Sequence, residues 1–115
     1  MKDKAERDKL VRLNDIVESV DLIEKYIDGL TQEEFFSSSE KQDSVIRRLE
    51  IIGEAVRSLP SEYKAQYPDI AWKHAAGMRN ILAHEYFNVD VNITWDALKN
   101  DLPKFKLSIQ QLIQG

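Results

Sequence analysis

Hydrophobic residues recur at intervals of three and four along most of the chain, which is typical of helices that each bury one face. The first such segment ends at Asp28-Gly29 and presents Leu10, Leu13, Val17, Val20, Ile23, Ile27 and Leu30. A second segment ends before Pro60 and presents Val45, Leu49, Ile52, Val56 and Leu59. These residues alternate steps of four and three and so form one apolar line along a helix, here called the heptad seam. These two segments predict long amphipathic helices.

Short polar motifs predict where the other helices begin. Thr31-Gln32-Glu33-Glu34 has the form of a capping box. In this motif the threonine side chain accepts from a free backbone amide of the first turn, and the Glu34 side chain accepts from the threonine amide. The run Ser37-Ser38-Ser39 should cap the second long helix. Ser61 to Pro68 predicts a connecting loop, after which Asp69 can cap a third helix that begins near Ile70.

The last part of the chain predicts a further helix after a break at Asn88-Val89-Asp90. Its apolar face would carry Trp95, Leu98, Leu102, Phe105, Ile109 and Leu112. Pro103 should bend or restart this helix, because proline cannot donate the backbone hydrogen bond. The pattern as a whole predicts an all-α fold, an antiparallel up-and-down bundle of four main helices with room for a short extra one, formed by residues 1–115 as a single domain.

Composition narrows the chemistry that the chain can perform. The 115 residues include no cysteine, which excludes disulfides, thiolate nucleophiles and zinc sites built on sulfur. The histidines, His74 and His84, lie ten positions apart in the sequence, so we expect neither a metal nor another cofactor. The chain also lacks a membrane-length apolar run and an apolar stretch after Met1, which predicts a cytoplasmic protein.

The distribution of charge indicates where an anion could bind. The net charge of −4 argues against general attraction of nucleic acid. Residues 1–40 hold 6 basic and 11 acidic side chains, whereas residues 47–79 hold 6 basic and 4 acidic ones. An anion site is therefore expected in the middle of the chain.

The third predicted helix carries the candidate chemistry. Arg79 can hold a phosphate through two parallel hydrogen bonds and neutralise a five-coordinate phosphorus. His84, titrating near neutrality, can take a proton from a ribose 2′-hydroxyl or give one to the leaving oxygen. Asn80 lies one turn before His84 and could hold the imidazole in one tautomer. Together these groups suffice for RNA cleavage without a metal.

The spacing of the pair raises a geometric problem. Arg79 and His84 are five residues apart, which places them about 140° apart around a straight helix. Either the helix ends near Ala83 and turns His84 back, or a second copy of the chain supplies the partner across a two-fold axis. The same helix is rich in small residues, so another helix should approach it closely: Ala71, Ala75, Ala76, Gly77 and Ala83.

The stretch from Arg47 to Tyr86 resembles the HepT-like branch of the HEPN superfamily. The residues that carry the resemblance are Leu49 to Val56, Trp72 and Met78 to Phe87, and it extends through Val89-Asp90, Trp95 and Asp101-Leu102-Pro103. The resemblance implies a small all-α homodimer in which the Arg-x4-His motifs of two protomers line one cleft, with the activity of a ribonuclease toxin acting on RNA.

The resemblance also assigns individual residues. Arg79 and His84 match the motif as catalytic residues, and Asn80 matches the polar residue that the family favours after the arginine. Tyr86 matches the tyrosine of the extended motif Arg-x4-His-x-Tyr. In type VII toxin–antitoxin pairs of this kind, a cognate minimal nucleotidyltransferase (MNT) antitoxin transfers AMP from ATP to that tyrosine. An adenylate there would add negative charge to an anion site and repel RNA.

Other interpretations remain open at this point. The chain could be a non-catalytic adaptor that binds a nucleotidyltransferase or its substrate, which the net charge favours, or a structural bundle. His74 is interpreted as structural, and Trp72 and Trp95 as core or interface residues. Arg57 fits a solvated face or an extension of a phosphate track, and the face is narrowly favoured. Arg47 and Arg48 fit either such a face or a phosphate track, and Glu54 could be exposed or paired with a cation.

Overall fold

The computed structural model of the protein describes residues 3–83 and 91–115. Its elements are α1 (Lys4–Ile27), α2 (Gln32–Phe36), α3 (Ser39–Ser58), α4 (Ser61–Ala65), α5 (Trp72–Ala83), α6 (Val91–Asp96), a π-helical segment (Ala97–Asp101) and α7 (Leu102–Gln114). No strand occurs in these two ranges, and the all-α prediction is confirmed. The break predicted at Asn88-Val89-Asp90 lies outside the described residues.

Polar side chains define the helix starts as the motifs predict. The Glu34 amide donates to Thr31 Oγ1 over 3.1 Å, and the Thr31 amide donates to Glu34 Oε1 over 2.9 Å, so the capping box of α2 is complete. Ser38 caps α3 by accepting from the Lys41 amide over 3.2 Å. After α1, Gly29 adopts a φ of 77°, a left-handed conformation that suits glycine.

Two predictions about the middle of the chain are wrong. The segment expected to be a loop contains α4, whose first internal bond runs from the Lys64 amide to the Pro60 carbonyl. The next helix, α5, begins at Trp72 and not near Ile70, and Asp69 does not cap it. In the turn before α5, the Trp72 indole nitrogen donates to the Tyr67 carbonyl over 3.2 Å.

The irregularity expected at Pro103 lies one turn earlier. Without an amide hydrogen, Pro103 cannot donate to the carbonyl one turn back, so the helical ladder must change register near it. The Leu102 amide donates to the Ala97 carbonyl, five residues back, which is a π-helical bond. The backbone remains helical at Asp101, with φ −71° and ψ −43°, so the predicted apolar face continues through the change.

The core lies between the four main helices, α1, α3, α5 and α7, as the bundle prediction requires. Helix α3 packs against both α1 and α5, and α1 also packs against α7. The largest fully buried side chains include Ile16, Ile23, Leu49, Ile52, Leu102 and Ile109. None of the described helices combines the length and apolar content that a membrane crossing requires.

Helices α3 and α5 approach each other closely at Gly53. A methyl group added to Gly53 would lie 3.3 Å from the backbone oxygen of Ala76 and 3.1 Å from Arg57 Nη1. The tight contact expected from the small residues of α5 is therefore made with α3. Gly77 differs, because a methyl group there would meet no described atom within 4 Å.

These two glycines provide a matched test of the helix contact. We expect Gly77→Ala to raise the free energy of unfolding by about 1 kcal/mol, the usual gain for alanine over glycine inside a helix. Gly53→Ala should lose most or all of this gain, since the new methyl group presses on the Ala76 backbone. Urea unfolding of the three proteins at one concentration measures the difference. Equal stabilisation by both substitutions would contradict the close approach.

Candidate functional site

The groove between α3 and α5 is the candidate site. It has a volume of about 320 Å³ and is lined from α3 by Leu49, Glu50, Gly53, Glu54 and Arg57, and from α5 by Ala76, Arg79 and Asn80. Arg79 and Asn80 are predicted site residues. Among the lining residues of α3, the sequence leaves a phosphate track open for Arg57, whereas Glu50 and Gly53 have no predicted role. A larger cavity of about 540 Å³ lies between the turn before α5 and the end of α7, but no arginine or histidine lines it.

The Arg79 side chain is held by two acceptors. Its Nε donates to Glu50 Oε1 over 3.3 Å, and its Nη1 donates to Asn80 Oδ1, also over 3.3 Å. Because one acceptor belongs to α3 and the other to the next residue, the guanidinium is held between α3 and α5. Among the described residues, no acceptor binds Nη2.

Glu50 connects Arg79 to a second arginine. Its other carboxylate oxygen lies 3.9 Å from Arg47 Nη1, and the Arg47 side chain is 64% exposed. The side chains of Arg79 and Glu50 are 42% and 37% exposed, so solvent screens their attraction and the pair adds at most about 1 kcal/mol to stability. A phosphate can therefore replace Glu50 at low cost. Arg48 does not line the groove.

Asn80 contacts the other described candidate, Arg79. Its side-chain oxygen accepts from Arg79, so within the described structure it orients the guanidinium. Its predicted partner, His84, and the predicted modification site, Tyr86, both lie outside the described residues. The geometry that relates Arg79 to these two residues is thus not part of the described structure.

Arg57 lines the groove, and its side chain is exposed to solvent. Its exposed side chain folds back over Gly53, where Nη1 and Nη2 stand 3.1 Å and 3.3 Å from the position of an added methyl group. The described part of the chain places no carboxylate within 4 Å of this guanidinium. Glu54 also lines the groove, is exposed and forms no ion pair with another described residue.

The other polar and aromatic candidates connect helices. His74 Nε2 lies 2.8 Å from Asp101 Oδ2, which joins α5 to the π-helical segment and agrees with a structural role. Trp72 packs edge to face on Phe105 at 5.9 Å between ring centres, and Trp95 packs on Phe35 at 5.5 Å. Both tryptophans therefore contribute to packing. Across residues 3–83 and 91–115, no three acidic or histidine side chains cluster as metal ligands would.

Comparison with known proteins gives a consistent family assignment. A protein of Thermococcus cleftensis named "Probable ribonuclease HepT" is 41% identical over 100 residues, which cover 87% of this chain and 91% of that protein. A protein of Methanocaldococcus jannaschii named "Gamma-glutamylcyclotransferase and putative RNase" is 46% identical over 108 residues, or 94% of this chain. The chain spans about half, 49%, of that second relative.

No solved structure matches the chain. The family described as Ribonuclease HepT-like matches residues 16–112, a range that contains the whole α3–α5 groove and both ends of the Arg-x4-His motif. On the strength of this match and of the relative from Thermococcus cleftensis, the chain belongs to the HepT-like ribonuclease family.

Proposed function

We propose that the protein is an endoribonuclease toxin that cleaves RNA without a metal, acting in the cytoplasm as half of a type VII toxin–antitoxin pair. The observation that carries this proposal is the Arg79 guanidinium, aligned by Glu50 and Asn80 in an open groove with Nη2 unused among the described residues. The ribonuclease names of the family and of the relatives support the same activity.

The proposed reaction begins when an RNA phosphate replaces Glu50 on Arg79. His84 removes the proton of the ribose 2′-hydroxyl, and the 2′-oxygen forms a bond to phosphorus. Arg79 would stabilise the extra negative charge on the five-coordinate phosphorus by donating hydrogen bonds to its equatorial oxygens. The bond from phosphorus to the 5′-oxygen then breaks, that oxygen takes up a proton, and the products are a 2′,3′-cyclic phosphate and a 5′-hydroxyl.

A homodimer would bring the two catalytic groups to one phosphate. Arg79 lies in α5, which is helical up to Ala83. A regular helix places a residue five positions further about 140° away, too far around for one helix to direct both groups at a single ligand. We propose that two protomers pair across a two-fold axis so that Arg79 of one copy and His84 of the other face the same phosphate.

The partner that controls the toxin would be an MNT-type nucleotidyltransferase. It would transfer AMP from ATP to the Tyr86 hydroxyl and release pyrophosphate. Tyr86 is seven residues after Arg79, which is the same stripe of a regular helix. The added phosphate would place a negative charge beside Arg79, where it competes with RNA.

The charge of the groove gives some support to a second candidate function. Glu50 and Glu54 line the groove together with Arg57 and Arg79, so the groove carries no net charge. A non-catalytic adaptor that binds a nucleotidyltransferase or its substrate needs no stronger positive field. An adaptor would bind its partner tightly and leave RNA intact, which the first experiment below distinguishes.

Loss of Arg79 or His84 should abolish RNA cleavage. We expect Arg79→Ala and His84→Ala each to slow cleavage of an unstructured RNA by about a hundredfold or more, since each supplies a separate part of the transition-state stabilisation. Arg7→Ala, an exposed arginine on α1, serves as the control. Reactions contain EDTA, and mass spectrometry identifies the 2′,3′-cyclic phosphate. Unchanged cleavage by His84→Ala, or loss of wild-type cleavage in EDTA, would refute the mechanism.

Removing the charge of Glu50 should make anion binding stronger. In Glu50→Gln, a phosphate no longer competes with a carboxylate for Arg79, so an all-deoxy oligonucleotide should bind about threefold more tightly, which corresponds to less than 1 kcal/mol. Fluorescence anisotropy measures the affinity. Glu18→Gln on α1 makes the same change in net charge away from the groove. If both variants gain equally, Glu50 does not compete for the anion site.

Tyr86 should be the only acceptor of AMP in this chain. After incubation with ATP and the cognate nucleotidyltransferase, the wild-type protein should gain whole AMP units by intact-mass measurement and lose its ribonuclease activity. Tyr86→Phe should gain no mass and continue to cleave RNA. Tyr67→Phe should behave as the wild type. Modification of Tyr86→Phe would place the acceptor elsewhere.

A further inference from the structure

The Arg57 guanidinium lies in the same groove as Arg79, yet the reaction above does not use it. Arg57 stands in the last turn of α3 and folds back over Gly53. Because Gly53 has no side chain, the guanidinium rests against the helix surface and can present its outer face to the groove. A larger residue at position 53 would displace Arg57, since even a methyl group would lie 3.1 Å from Nη1.

The two arginines of the groove differ in how their charge is balanced. Arg79 has Glu50 at 3.3 Å, whereas Arg57 has no carboxylate within 4 Å in the described ranges. Two lysines at helix contacts differ from Arg57 because each has an acceptor: Lys64 Nζ donates to the Val56 carbonyl over 2.8 Å, and Lys106 Nζ lies 2.7 Å from Glu24. Arg57 is therefore a cation directed into a groove without an internal counter-ion from the described chain.

Arg79 and Arg57 contact α3 at points whose spacing along the helix suits a nucleic acid strand. Arg79 meets α3 at Glu50, and Arg57 meets it at Gly53, three residues further along the helix. Three residues correspond to about 4.5 Å of helical rise. Successive nucleotides of one strand rise by about 3.4 Å when stacked and by more when extended. Two consecutive phosphates can therefore follow the groove from one arginine to the other.

We propose that Arg57 binds the phosphate adjacent to the scissile one, so that the groove takes a single RNA strand with at least two consecutive phosphodiesters. This proposal rests on the ribonuclease function proposed for Arg79. Arg57 contributes to binding and not to bond breakage, because its phosphate does not change charge during the reaction. Its effect should consequently appear in KM and depend on substrate length.

Two chimeric substrates test this length dependence. One is a dinucleotide with a single ribonucleotide and a single phosphodiester, and the other is a pentanucleotide with one central ribonucleotide among deoxynucleotides. We expect Arg57→Gln to reduce kcat/KM about fivefold on the pentanucleotide, mainly through KM, and to leave the dinucleotide unchanged. Arg7→Gln should leave both unchanged. Equal losses on both substrates, or no loss on either, would overturn the assignment of Arg57.

A binding experiment separates this proposal from the proposed reaction. For an all-deoxy pentanucleotide, which cannot be cleaved, the slope of log Kd against log salt should fall by about 0.7 in Arg57→Gln, the value for one phosphate contact on a single strand. Arg57→Lys should keep the slope, and Arg7→Gln should not change it. If neither the wild-type protein nor any variant cleaves RNA but the slope falls in Arg57→Gln, the proposed reaction is wrong and the phosphate site stands. If RNA is cleaved and Arg57→Gln binds as Arg7→Gln does, the phosphate site is wrong.

Discussion

The close approach of α3 and α5 at Gly53 is the contact on which the candidate site depends. It brings the Ala76 backbone to within 3.3 Å of the place where a side chain would begin. At this separation Glu50 reaches the Arg79 guanidinium, and Arg57 can lie against α3 in the same groove. A wider spacing between the helices would separate Glu50 from Arg79.

The energy that maintains this spacing comes from the core and not from the groove. Leu49, Ile52 and Val56 of α3 and Met78 and Leu82 of α5 are buried, and each such side chain contributes about 1.5–3 kcal/mol by leaving water. The exposed Arg79–Glu50 pair contributes at most about 1 kcal/mol. This division suits a binding site, because its ion pair can open for a ligand while the helices stay in place.

The sequence predicts those parts of the fold that local interactions determine. The capping box at Thr31, the cap at Ser38 and the end of α3 before Pro60 each depend on residues within one turn of one another. Helix α4 escapes prediction because five residues are too few to show an apolar period. The start of α5 escapes it because the residues from Tyr67 to Ile70 form a turn before the helix, although Asp69 is a suitable cap.

The same distinction applies to the candidate site. Arg79 and Asn80 can be found from the sequence, since they belong to a short motif with a family resemblance. Glu50 lies 29 positions before Arg79, and their contact depends on the register of α3 against α5. A signal for the α3 residues nevertheless exists. Glu50, Gly53 and Arg57 each directly follow a seam residue, so all three lie on one flank of the heptad seam.

Which flank of the seam faces the site is decided by the arrangement of the helices. The seam of α3 is shared, since α3 packs against α1 as well as against α5. Of its two flanks, the one with a glycine at its centre is the one that another backbone can approach most closely. Gly53, which permits the close contact, lies between Glu50 and Arg57 on this flank. The point of closest approach therefore has a carboxylate on one side and a guanidinium on the other. The position of the groove therefore follows from two features: the close approach of α3 and α5 at Gly53, and the order of Glu50, Gly53 and Arg57 along one flank of α3.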